Sequence, residues 1–132
     1  MSLRGSRVLN HLSDRQARFT ESATDLLVYA KFLGLSMKPA CRIRLDYARR
    51  CDDCPANEIK SSNHTRRLAV DLIIDSFIGG QWTWITGSHP FFDKLGEFWL
   101  AYGRVNNLPT RWGGTWAKRD YSHFSFEYEG IS

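Results

Sequence analysis

Apolar residues recur at Phe19, Ala23, Leu26, Leu27, Ala30 and Leu33, a spacing of three and four that predicts an amphipathic helix ending at Gly34. Ser13 and Gln16 stand at capping-box spacing and mark its expected start. The period then changes to two. Cys41, Ile43, Leu45 and Tyr47 alternate with Arg42, Arg44 and Asp46, so residues 39–47 are expected to form a strand with one wet face. Residues 48–63 show no period and are rich in turn formers, which predicts a surface loop. Residues 68–74 are a short apolar run of strand length with one carboxylate at its centre, and residues 81–85, beyond Gly79-Gly80, suit its hairpin partner. Ser88 is the expected cap of a second helix with Pro90 in its first turn. Phe91, Phe92, Leu95, Phe98, Trp99 and Tyr102 form its apolar stripe, and Asn106, Asn107 and Pro109 end it. Residues 112–116 are turn-rich and aromatic, and residues 123–128 alternate as a last strand. Two principal helices segregated from a small, mainly antiparallel sheet make an α+β domain.

Composition narrows the picture. A chain of 132 residues with 42% apolar content matches one domain, able to bury a core without help from disulfides or a metal. No apolar run approaches the roughly 20 residues that cross a bilayer, and the N-terminus carries no hydrophobic export signal, so membrane insertion is not expected. Lys and Arg number 18 against 14 Asp and Glu, a net charge of +4 that favours an anionic partner. Arginines cluster at positions 42, 44, 49, 50, 66 and 67, and these suit carboxylates as well as phosphates. Arg42, Arg50 and Arg66 are read as a solvated basic face. A nucleic-acid binder using these clusters, a third possibility, would need a basic stripe with base-reading or stacking groups, and no nucleic-acid partner is expected. The three cysteines, Cys41, Cys51 and Cys54, are too few and too odd in number for a secreted disulfide framework, which points to cytosolic accumulation. Cys41 alternates inward as a core residue, and Cys51-x-x-Cys54, lacking a second pair, is read as structural.

Two segments place imidazole and carboxylate close together: residues 62–71, with His64 and Asp71, and residues 120–123, with Asp120 and His123. A lone Asp71 inside an apolar strand costs several kcal/mol of desolvation unless it is paired or bound to a cation. His64 at the entry to that strand and His123 at the start of the last one are candidate nitrogen ligands. Two His and one carboxylate suit a catalytic zinc with an open position for water, leaving Asp120 as a base.

The ordered set Ser62-x-His64-x(4)-Ala69-x-Asp71, Trp112-Gly-Gly-x-Trp116 and Asp120-x-x-His123-Phe124 resembles the zinc-dependent peptidoglycan peptidases of the D-alanyl-D-alanine carboxypeptidase and L-alanyl-D-glutamate endopeptidase group, especially its small phage and prophage members. The resemblance covers roughly residues 40–128 and implies a hedgehog/DD-peptidase-like fold. It implies Zn2+ held by His64, Asp71 and His123, with Asp120 as the catalytic carboxylate. An Asp three residues before the last ligand is more like the L-alanyl-D-glutamate enzymes. Arg44 and Arg49 compete for the position of a substrate-binding arginine, and Arg67 stands where many members have glycine. Arg67 is a third candidate donor to stem-peptide carboxylates, Ser62 a support for the site, and Trp112 and Trp116 candidate walls of the groove. The implied activity is cleavage of peptidoglycan stem peptides by a monomeric, endolysin-like enzyme that accumulates in the host cytoplasm. It would reach the wall with a holin-type release partner. A D-alanyl-D-alanine carboxypeptidase or dipeptidase, and a non-catalytic zinc-containing wall- or protein-binding module, are the alternatives.

Overall fold

The computed structural model describes residues 10–46 and 66–132. Helix α1 (His11–Ser36) buries Phe19, Ser22, Leu26, Ala30 and Gly34, one stripe at helical spacing. Its start lies three residues earlier than the capping-box spacing suggests. The Asn10 side chain accepts the backbone N–H of Ser13 at 2.9 Å, so Ser13 is a beneficiary of the cap and not the cap itself. The stripe closes on Gly34, where a Cβ would run into the backbone of Cys41 at the start of the first strand. Helix α2 (Pro90–Asn106) begins with a similar shift. His89 is the cap, its Nδ1 accepting the N–H of Phe91 at 3.0 Å, in place of the expected Ser88. Asn107 ends it in the left-handed region, φ 55°, which asparagine tolerates well.

The strands are β1 (Cys41–Leu45), β2 (Ala69–Ile78), β3 (Gln81–Ile85), β4 (Thr110–Trp112) and β5 (His123–Phe126), all paired antiparallel. The α+β expectation therefore holds. Strand β2 is longer than its apolar run suggests, because residues 74–78 pair with β3 through a turn in which Gly79 and Gly80 both have positive φ. Along its length β2 serves two neighbours on one edge: β5 pairs with residues 69–71 and β3 with residues 74–78, while β1 takes the other edge. Where β5 and β3 part, the Leu72 N–H still donates to Ser122 O at 3.0 Å, just before β5 begins.

Alternation divides the sheet. Leu72, Ile74, Cys41, Phe124 and Phe126 face the helices and join Leu26, Phe91, Leu95 and Trp99 in the core. Each large side chain so buried contributes about 1.5–3 kcal/mol. Trp99 is central: its rings meet Phe19, Phe124 and Phe126, and its indole N–H donates to the carbonyls of Arg111 (3.0 Å) and Ser125 (3.1 Å), tying α2 to β4 and β5. The opposite face carries Asp71, Ile73, Asp75 and Phe77 of β2, with their cross-strand partners His123, Arg44, Arg42, Trp84 and Trp82. Function must be sought on that second, uncovered face.

Candidate metal centre and cleft

Asp71 and His123 are direct cross-strand partners, a relation that brings side chains within about 5 Å on the same face. Here Asp71 Oδ1 lies 3.4 Å from His123 Nδ1, with His123 buried and Asp71 half-buried. Asp120 joins them through local geometry. Its carbonyl accepts the N–H of His123 at 3.2 Å, folding residues 120–123 into a turn that brings the carboxylate near the imidazole. The Asp-x-x-His spacing is thus a turn spacing. One donor atom from each of Asp71, Asp120 and His123 lies within 4.8 Å of the others. Two carboxylates and an imidazole form a nitrogen and oxygen set suited to a divalent cation, and the donors come from two strands and a turn. Asp71, Asp120 and His123 can therefore hold a metal ion. The Ser122 hydroxyl donates to Asp120 Oδ1 at 2.9 Å, fixing that carboxylate from the protein side.

The glycines of the Trp-Gly-Gly segment explain why Asp120 sits where it does. Gly113 begins a single 3-10 turn (Gly113–Thr115), and its carbonyl accepts the N–H of both Asp120 (2.9 Å) and Trp116 (3.2 Å). A Cβ on Gly113 would stand 3.0 Å from the carbonyl carbon and from the Cβ of Asp120, and nearer still to its carbonyl oxygen. Only glycine allows that approach. Trp112 fills the space behind. Of the two positions open to it from the sequence, core or groove wall, it takes the core: its indole N–H donates to Tyr121 O at 2.9 Å and its ring packs on Phe124. A side chain enclosed in this way supports the Asp120 turn. Trp116 is at the site itself, its ring 4.9 Å from that of His123.

A cleft of about 290 Å³ opens beside Asp120, in the gap that β5 and β3 leave along β2. Its lining includes Ile73, Trp84, Phe92, Arg119, Asp120 and Ser122. The Arg119 side chain donates to Gly114 O at 2.7 Å, so this cation is anchored at the cleft.

Arg44 has a different role from the free clamp expected of it. Its Nε and Nη2 donate to Asp75 Oδ2 and Oδ1, both at 2.8 Å, and Arg42 Nε donates to the same Oδ2 at 2.9 Å. Arg42 is accordingly part of a built network, not a merely solvated charge, and its guanidinium lies 4.2 Å over the Trp82 ring. Asp75 is 3% exposed, and its carboxyl is held below the ordinary carboxylate range, first by the Arg44 hydrogen bonds and then by those of Arg42, against the opposing effect of burial. Arg66 also departs from the solvated reading: it donates to Tyr128 O at 3.3 Å and pairs with Glu129. Arg67 is an exposed turn residue with φ 58°. Cys41 is free and buried, as its alternation implies, and burial raises its thiol pKa. His64, Ser62, Arg49, Arg50, Cys51 and Cys54 lie outside the described residues.

Asp75, Trp84 and Arg119 carry no role in the sequence reading. Continuing the two-residue alternation past Ile74 would have placed Asp75 on the face of Asp71, whereas nothing local marks Arg119 or Trp84. No known protein-family model matches the chain, and no curated protein matches it significantly.

Proposed function

We propose that the chain is a zinc-dependent peptidoglycan peptidase that hydrolyses a stem-peptide amide, the L-alanyl-D-glutamate bond in preference to others. The observation that carries this reading is the convergence of Asp71, Asp120 and His123 donors, of which Asp120 also lines a cleft. The ordered residues that resemble the peptidase group, including His64, add to it. In this reading Asp71 and His123 hold the ion together with His64, on a reduced hedgehog/DD-peptidase-like sheet. Bound zinc would supply Lewis acidity toward water and the scissile carbonyl.

The protein's own residues account for the rest. Asp120 takes a proton from the attacking water and returns it to the leaving amine; because Ser122 occupies Oδ1, the proton is carried at Oδ2. Arg119, anchored at the cleft beside Asp120, faces the carboxylates of the stem peptide and offers charge-assisted donors to them. Trp116 shields His123 from bulk water. In its biological setting the enzyme would act on the host wall as an endolysin of a phage or prophage, after passage from the cytoplasm by a holin-type partner.

The direct test is mass spectrometry of peptidoglycan fragments incubated with the protein, with and without a strong chelator followed by zinc. Zinc-dependent release of stem peptides lacking L-Ala supports the proposal. Release of D-Ala instead assigns a carboxypeptidase, and no cleavage under either condition overturns the catalytic reading in favour of a binding module.

A further inference from the structure

The uncovered face of the sheet continues beyond the metal-ligand cluster to the β2–β3 hairpin, and there it changes character. Trp82 and Trp84 lie two residues apart on β3 and are 42% and 63% exposed. Phe77, the cross-strand partner of Trp82, adds a third exposed ring 5.2 Å away. Arg42 covers one face of Trp82, and no described ring packs on Trp84. Such aromatic area held open to water marks a binding surface when it is contiguous.

Two features specify the chemistry of its occupant. First, the rings border the Arg42–Asp75–Arg44 network, in which Asp75 engages both Nε groups and one terminal nitrogen of Arg44. The remaining terminal nitrogens belong to half-exposed side chains, and the Arg42 guanidinium lies over the Trp82 ring. An entirely apolar partner would have to strip water from two half-exposed guanidinium groups, an expensive step. A pyranose ring needs no such step: its C–H face is apolar enough to lie on an indole, while its hydroxyl and acetamido groups accept hydrogen bonds at the edge. Second, Trp84 also lines the cleft that holds Asp120, so the platform is continuous with the candidate site.

We propose that Trp82, Trp84 and the Arg42–Asp75–Arg44 network form a saccharide-binding platform that takes N-acetylated hexose units of the glycan to which the stem peptide is attached. The proposal rests on the peptidase reading for the identity of the polymer, although the platform's binding chemistry does not require catalysis. Asp75 acts as a positioning residue, holding both guanidinium groups through the hydrogen bonds it accepts. The glycan would be held on one side of the cleft while the peptide enters past Trp84 toward Asp120.

The test is a titration of the intact protein with a β-1,4-linked N-acetylglucosamine tetramer, followed through the indole N–H resonances in proton–nitrogen NMR spectra. Saturable shifts of Trp82 and Trp84, with the buried indoles of Trp99 and Trp112 unmoved, are expected. Trp84→Ala should weaken the affinity about tenfold, and Trp84→Phe, which keeps a ring, should weaken it less. Asp120→Ala should bind the tetramer as the unaltered protein does. Absence of shifts at millimolar sugar, or undiminished affinity in Trp84→Ala, would overturn the platform. Shifts of the same indoles on raising the protein concentration without sugar would also overturn it, assigning the face to a second copy of this chain. Failure of the peptidase reading is distinguishable: the tetramer would bind while neither wall polymer nor free stem peptide is cleaved.

Discussion

Replacing Gly113 by alanine should separate the position of Asp120 from the stability of the fold. The added Cβ would lie 3.0 Å from two carbon atoms of Asp120, where ordinary carbon contacts are about 3.5–4.0 Å, so the Asp120 segment must retreat by about 0.5–1 Å. The obstructing atoms belong largely to backbone, which cannot swing aside as a flexible side chain would. The retreat also stretches the 2.9 Å hydrogen bond from Asp120 N to Gly113 O. Overpacking of this kind costs about 1–3 kcal/mol, and in a chain of this size each kcal/mol lowers Tm by about 3–5 °C. A displacement near 1 Å of a reacting group lowers a rate by about a hundredfold. The assay is wall-polymer hydrolysis measured well below both melting temperatures, alongside zinc titration of the metal-free protein and thermal unfolding. Phe19→Leu serves as the comparison, since it loosens the core through its edge contacts with Trp99 and Phe126, far from the turn, and costs about 1–2 kcal/mol. On the peptidase proposal, the two variants should melt similarly while only Gly113→Ala loses hydrolysis, with zinc binding retained. A Gly113→Ala protein with undiminished hydrolysis would refute the claim that the glycine positions Asp120.

The other predictions concern the metal-ligand cluster, the buried carboxylate and the core indole. Asp71→Ala and His123→Ala should each lower zinc affinity measured by calorimetry, whereas Asp120→Ala should keep zinc and lose hydrolysis; loss of zinc in all three would make Asp120 a ligand. Asp75→Asn should destabilise the domain by about 1–3 kcal/mol at neutral pH in urea unfolding, the range of charge-assisted bonds reduced by the half-exposure of both arginines. Because the folded protein lowers the Asp75 pKa, this contribution is complete above the unfolded value of about 3.9 and disappears as pH falls through the lower folded value. The stability difference between Asp75→Asn and the unaltered protein should therefore shrink across that acid range, and a constant difference would contradict the ion-pair account. Trp99→Phe removes the one donor shared by the Arg111 and Ser125 carbonyls and should cost about 2 kcal/mol, read as a shift of the denaturant midpoint at constant m value.

Legibility in the sequence follows the range of the interactions. The two helices, the alternation of residues 41–45 and the Gly79-Gly80 hairpin are local patterns, and the chain adopts them because 3.6-residue and two-residue periods place apolar groups on one side. The Asp120-x-x-His123 pair is equally local, since its spacing is that of a turn. The cap positions moved by a few residues because Asn10 and His89 also offer acceptors, and a hydrogen bond chooses among neighbours by geometry that a one-dimensional pattern does not contain. Tertiary structure alone decided how β2 is shared between β5 and β3, and with it the opposition of Asp71 to His123 and the cleft beside Asp120. It also decided that Trp112 supports the Asp120 turn from the core and that Arg44 is committed to Asp75. In each case the partners lie on different elements, so their distances depend on strand register and on what the core excludes. The sequence by itself determined which chemical groups face outward from the sheet; the fold determined which of them meet.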